Sequence, residues 1–158
     1  MIKAIIFDFS RTLLFPVDEN YKGGLNDLYR LVKDEVDFNF NNYFYLNKSV
    51  LDAANKLKNS FKLYIFTTET IQEDPQIKNE IEGIFSKVFS AKSIGYNKKN
   101  IKSYQFIIDE LGLKPEEIVF IDDSTENLLV AREAGITTIM YEGFEKFIQK
   151  LQELGVKF

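Results

Sequence analysis

Ala4-Ile5-Ile6-Phe7-Asp8-Phe9-Ser10-Arg11-Thr12-Leu13 is the stretch on which the fold turns. Four apolar residues run without alternation and stop at an acid. A short continuous apolar run reads as a strand buried on both faces, the pattern of a parallel sheet covered by helices. Asp8 then stands at the end of that strand, where the chain leaves the core.

Working outward, the same grammar recurs. Leu63–Phe66 is a second apolar run, followed by Thr67 and Thr68. Lys87–Phe89 is a weaker third. Ile118–Ile121 is a fourth, closed by Asp122 and Asp123, and Thr137–Met140 is a fifth. Helical patterns fill the gaps. Val50, Leu51, Ala54 and Leu57 mark one apolar face. Asp74-Pro75 reads as an N-cap with proline at the first helical position, ahead of Ile77, Ile81 and Ile84. Ile101, Tyr104, Ile107, Ile108 and Leu111 form a stripe closed by Gly112, and the helix from Leu128 to Ala134 closes at Gly135. Phe144, Phe147, Ile148, Leu151 and Leu154 make a terminal amphipathic helix. Strands alternating with helices predict right-handed βαβ units in one α/β domain over residues 1–158, a three-layer Rossmann-like fold around a doubly wound five-stranded parallel sheet.

Residues 14–46 interrupt the alternation. Gly23-Gly24 precedes a helical stretch, Leu25 to Val36, and an aromatic, asparagine-rich segment follows from Phe38 to Tyr45. The expectation is a small helical cap inserted after strand one. Its aromatic residues are read first as local packing, with a substrate lid or partner surface as the alternative.

Composition narrows the chemistry. The chain of 158 residues has neither cysteine nor histidine. Thiolate nucleophiles, disulfides, thiolate zinc sites and serine–histidine triads are excluded. Acid–base work falls to Asp, Glu, Lys or Tyr, and any metal to oxygen ligands, which favours Mg²⁺ or a similar hard cation. With a formal net charge of −4 and lysines spread along the chain, no basic stripe for nucleic acid is evident. No apolar run approaches the roughly 18 residues of a membrane span, and the opening run is too short for a signal-peptide core. A cytoplasmic location is therefore expected, with no nucleic-acid or membrane partner.

In a doubly wound sheet the ligand site lies beyond the carboxyl ends of the strands. That edge would gather Asp8, Thr67, Thr68, Lys98, Asp122 and Asp123. Three acids repel one another, and a metal ion keeps them ionised, while the lysine and hydroxyls suit phosphate oxygens. Each element has a plainer reading. Asp8 could cap a turn; Asp122 and Asp123 could sit at a helix N-terminus, with Ser124 or Thr125 as the cap; Lys98, beside Lys99 and Lys102, could be surface.

The strand ends also carry a resemblance. Phe7-Asp8-Phe9-Ser10-Arg11-Thr12-Leu13 resembles the first motif of the haloacid dehalogenase superfamily, Asp-x-Asp-x-Thr. Ile65-Phe66-Thr67-Thr68 is similar to its second motif. Gly95-Tyr96-Asn97-Lys98 resembles the third-motif lysine region, and Val119-Phe120-Ile121-Asp122-Asp123-Ser124-Thr125-Glu126-Asn127 the fourth. The resemblance implies a Mg²⁺-dependent phosphohydrolase or phosphotransferase. Asp8 would form an aspartyl-phosphate, and Thr67 or Thr68 with Lys98 would hold the phosphoryl group. Asp8, the Ser10 carbonyl, Asp122 and Asp123 would hold the metal, Asp123 directly. Thr12 and Asn127 would support the loops. A reduced cap implies an open site, for a phosphorylated small molecule or a protein-borne phosphate. A signalling receiver domain fits less well, because that class needs its acidic pair after strand one.

The chain departs from the family's phosphatases at Ser10, where they carry a second aspartate that protonates the leaving group and later activates water. Loss of such help costs roughly 10²–10⁴-fold in rate. The family's P-type ATPases carry threonine there, so a hydroxyl is compatible with a phospho-aspartate. The alternative expectation is a catalytically impaired relative that binds phosphate or a partner. Arg11 has no role that the sequence assigns.

Overall fold

A computed structural model describes residues 1–158. In chain order the elements are β1 (Ala4–Phe7), β2 (Leu14–Pro16), α1 (Leu25–Val32), β3 (Phe44–Leu46), α2 (Lys48–Leu57), β4 (Lys62–Thr67), α3 (Lys78–Glu82), β5 (Lys87–Ser90), α4 (Ala91–Ile94), α5 (Ile101–Leu111), β6 (Ile118–Asp122), α6 (Thr125–Glu133), β7 (Thr137–Met140) and α7 (Phe144–Glu153), with short 3₁₀ turns between some of them.

Five strands form one parallel sheet in the order β5-β4-β1-β6-β7. The chain runs outward from central β1 through β4 to β5, then crosses back to β6 on the other side. That reversal between β1 and β6 is the topological switch point, where loops diverge and leave a crevice at the strands' carboxyl ends. Phe7 lies in register with Ile65 and Ile121, so Asp8 leaves the sheet between the ends of its two neighbours. The Asp8 N–H donates to the Ile121 carbonyl at 2.7 Å, which holds the acid against β6.

The predicted two-faced burial is present. Ile5, Phe7, Leu63, Ile65, Val119 and Ile121 pack on one side against α2, α3 and α7. Ala4, Ile6, Phe66, Ile118 and Phe120 pack on the other against α5 and α6. Gly112 and Gly135 adopt φ of 61° and 88°, where a side chain would strain the backbone, and they end α5 and the turn after α6 as expected.

The insertion contains α1, as expected, and also a two-stranded antiparallel ribbon. Strands β2 and β3 pair Leu14 with Leu46 and Pro16 with Phe44, closing the insertion at its root. Phe15 and Tyr45 stack across that ribbon with ring centroids 5.8 Å apart. Phe40 and Phe44 are fully buried and join the main core, so these aromatics serve packing, while Tyr45 stays exposed. Helix α1 ends at Val32 rather than Val36; Asp37 at φ 59° turns the chain soon afterwards. Asp74 does not cap α3, which begins at Lys78. Its carboxylate instead accepts the Gln76 N–H at 2.9 Å, closing a local turn, and the Tyr29 hydroxyl at 2.7 Å. The Asp-Pro signal marked a turn that precedes the helix.

Candidate active site

Asp8 is 5 % exposed, Asp122 is fully buried and Asp123 is exposed. One carboxylate oxygen from each lies within 4.8 Å of the others. Residues far apart in the chain therefore meet at the switch point. Lys98, on the loop before α5, is 6 % exposed and ion-pairs with Asp8 Oδ1, while its Nζ stands 3.4 Å from Asp122 Oδ2. The ammonium lies 5.2 Å from the Phe66 ring centroid and 5.7 Å from that of Phe120, so aromatic faces wall the pair off from solvent.

These charges perturb one another. Burial pushes the Asp8 carboxyl up to about 7, against the lowering pull of Lys98, and the Asp122 charge adds to the rise. The Asp123 carboxyl, partly shielded from water although the residue is exposed, is raised by that loss of solvent and then by Asp122. Burial alone would lower Lys98, but Asp8 and Asp122 outweigh it and hold the ammonium above its ordinary value. Three carboxylates against one buried ammonium leave negative charge without an equal counter-charge. The donors are all oxygen, one from each acid lying within 4.8 Å of the others, and hard divalent cations take oxygen ligands. The donor set fits a hard divalent cation.

Asp122 is held by its own loop. Its Oδ1 accepts the Ser124 N–H at 2.8 Å, and its Oδ2 accepts the Asn127 side-chain amide at 3.0 Å. Ser124 is the N-cap of α6, its hydroxyl accepting from Asn127 N at 3.4 Å. The same turn that starts the helix thus orients the acid. Thr12 Oγ1 lies 3.5 Å from Asp8 Oδ2, at the limit of a hydrogen bond. Asn47, the N-cap of α2, donates to the Thr12 carbonyl at 3.2 Å and the Tyr141 hydroxyl at 2.7 Å, bracing the loop after β1.

A cleft of about 220 Å³ opens over the acids. Ser10, Thr68, Lys98 and Asn127 line it with the three carboxylates, as do Arg11 and Gly24-Leu25-Asn26 of the insertion. Thr67 is buried at the end of β4, and Thr68, one residue on, faces this cleft. Arg11, Asn26 and Asn47 are additions to the sequence-derived set. Asn47 stood before a helix as a readable cap. Arg11 gave no signal, because its partners are backbone carbonyls: its guanidinium donates to Tyr21 O at 3.2 Å and Gly23 O at 2.8 Å.

Residues 16–141 match the family model described as haloacid dehalogenase-like hydrolase. The chain belongs to that family. The matched span starts after Asp8, Ser10 and Thr12, whose placement is given by the geometry above. Among curated proteins, the bifunctional epoxide hydrolase 2 of Rattus norvegicus is 29 % identical over 121 residues, covering 72 % of this chain and 22 % of that protein. The enolase-phosphatase E1 of Persephonella marina is 33 % identical over 113 residues, covering 72 % of this chain and 42 % of that protein. The chain spans less than half the length of these relatives. Among solved structures, a predicted HAD-like hydrolase from Porphyromonas gingivalis superposes with a TM-score of 0.70 at 19 % identity, covering 100 % of both chains. A HAD-family enzyme from Bacteroides thetaiotaomicron, in complex with magnesium and inorganic phosphate, gives 0.69 at 21 % identity, covering 90 % of this chain and 95 % of that one. At such identities these likenesses establish the shared fold. No helix is long and apolar enough to cross a membrane.

Proposed function

We propose that this protein is a Mg²⁺-dependent phosphohydrolase or phosphotransferase that works through an aspartyl-phosphate on Asp8. The observation that carries the reading is the meeting of Asp8, Asp122 and Asp123 around one small volume, with Lys98 bonded to two of them. A Mg²⁺ ion would be held by those three carboxylates and the Ser10 carbonyl, Asp123 being the most accessible ligand. When bound it neutralises charge on the phosphoryl oxygens and keeps the acids ionised.

The chain's own groups supply the rest. An Asp8 carboxylate oxygen attacks phosphorus in line with the leaving oxygen. Lys98 and the hydroxyl of Thr67 or Thr68 bind phosphoryl oxygens as negative charge builds in the transition state. Asn127 keeps Asp122 aimed, and Thr12 steadies the nucleophile turn. Water then cleaves the aspartyl-phosphate to release inorganic phosphate, or a second acceptor takes the phosphoryl group. The substrate is a phosphorylated small molecule or a protein-borne phosphate.

A panel of phosphate donors with Mg²⁺, a chelator control and Asp8→Asn tests this. Turnover should need the metal and vanish in the variant; activity that survives Asp8→Asn removes the nucleophile from the account. Ser10 on the cleft wall favours a second reading, a relative that binds phosphate and turns over little. Ser10→Asp should raise turnover if the remaining site is competent, and no gain favours the binding role.

A further inference from the structure

Where the departing group would obtain its proton is a question the cleft answers. Ser10 lines it, and a serine hydroxyl does not give up a proton at neutral pH. The three carboxylates would be engaged as metal ligands, Asp8 also as the nucleophile. Lys98 is fixed between Asp8 and Asp122, deep under the cleft. Arg11 never deprotonates, and its guanidinium is tied to the Tyr21 and Gly23 carbonyls. Asn26, Thr68 and Asn127 complete the polar wall, and none is an acid.

Beside the cleft, and sharing Thr68 with it, lies an open groove of about 600 Å³. A group attached to a phosphate held in the cleft would extend into it. Glu69 is the sole carboxylate lining this groove, and Arg30 bridges both of its oxygens at 2.5 Å, so its acceptor atoms are already engaged. The remaining charged group on that wall is Lys92, an exposed cation. Tyr96 and Asn97 complete its polar lining, so the groove receives negative charge and its single carboxylate is already engaged by Arg30.

Building on the aspartyl-phosphate reading, we infer that the substrates are phosphoryl donors whose leaving group departs as a stable anion: acyl phosphates, phosphoanhydrides and aryl phosphates, in preference to alkyl esters. As the bond from Asp8 oxygen to phosphorus forms, the bond from phosphorus to the leaving oxygen breaks. Its electron pair stays on that oxygen, which leaves as a carboxylate, phosphate or phenolate without being protonated. In the second step a water oxygen bonds to phosphorus, the link to Asp8 breaks, and the water proton passes to solvent. No side chain of the cleft takes that proton, so the phosphorylated form accumulates.

The test is single-turnover and steady-state kinetics of the full chain with Mg²⁺. The donors are acetyl phosphate, para-nitrophenyl phosphate, phenyl phosphate and an alkyl phosphate, with intact-protein mass spectrometry for phosphate on Asp8. The expected result is a stoichiometric burst with acetyl and para-nitrophenyl phosphate, a phosphoryl adduct on Asp8, and transfer rates that fall steeply as the leaving group becomes more basic. Ser10→Asp should raise the transfer rate from the alkyl ester by about 10²–10⁴-fold, the worth of a general acid, and so flatten the dependence of the rate on leaving-group basicity. Equal transfer rates across the series, with Asp8 still phosphorylated, would overturn the leaving-group inference and leave the nucleophile standing. Absence of phosphate on Asp8 with every donor would overturn the nucleophile reading, and this inference with it.

Discussion

Lys98 sits among acids where a charge without a partner is costly. Its Nζ is shared by Asp8 and Asp122, and the group is almost wholly buried. Removing one partner of a buried pair costs about 3–5 kcal/mol, because the other charge is left stranded. Lys98→Met keeps most of the apolar stem against Phe66 and Phe120 and deletes only the charge. In chelator it should lose about 3 kcal/mol of stability by urea denaturation. Asp8 already stands at about 7 with the lysine present, and it moves higher without it. A carboxyl raised in the folded state above its unfolded value stabilises the fold while protonated, and that stability is lost as pH rises through the folded pKa. The loss in Lys98→Met should therefore be larger at about pH 8 than at about pH 6. Equal losses at both would mean that Asp8 does not carry the stranded charge.

At the scale of elements, the turn after β1 and the inserted segment brace each other through a few polar contacts. Arg11 holds φ at 62° while its guanidinium ties down Tyr21 and Gly23. Arg11→Ala and Arg11→Gly both cut the tether, but only glycine is at ease in that backbone region. The alanine variant should be less stable than the glycine variant by about 1 kcal/mol in chemical denaturation, and a reversed order would show that the turn relaxes out of the left-handed region. Tyr29 of α1 donates to Asp74, which is 5 % exposed. Tyr29→Phe should cost about 1–2 kcal/mol, since a buried acceptor loses its partner. Such contacts were the least readable part of the chain. Strands β2 and β3 have three residues each, too few to display alternation, and Pro16 argues against a strand. Asp74-Pro75 carried a true turn signal, but the helix began after the turn. Arg11 bonds to carbonyls, which every residue possesses, so no spacing of side chains announces it. By contrast, Asp8 and Asp122 were legible because each ends an apolar run that only a buried parallel strand explains. Thr67 and Thr68 mark the boundary of that legibility: the run shows where the strand ends, and a one-residue step decides which hydroxyl faces the cleft.

For the whole molecule, the sheet supplies rigidity and the site carries the unbalanced charge. Central β1 is bonded on both sides, to β4 and β6, and brings Asp8 to the same rim as Asp122 and Asp123. The unfolded chain holds these acids far apart and binds a divalent ion weakly, so an ion that fits the folded site stabilises the whole fold by mass action. At one hundred times its dissociation constant the gain is about 2.7 kcal/mol. For a domain of this size each kcal/mol moves the melting temperature by roughly 2–4 °C, so saturating Mg²⁺ should raise it by roughly 5–10 °C. Asp123 is the exposed member of the three, and its side chain is not part of the buried core, so Asp123→Asn should fold as the parent does in chelator and gain less from the ion. Differential scanning fluorimetry across a Mg²⁺ titration reads both quantities on the same protein without any substrate. A melting temperature that ignores Mg²⁺ in the parent chain would mean that the three carboxylates converge without forming a metal site.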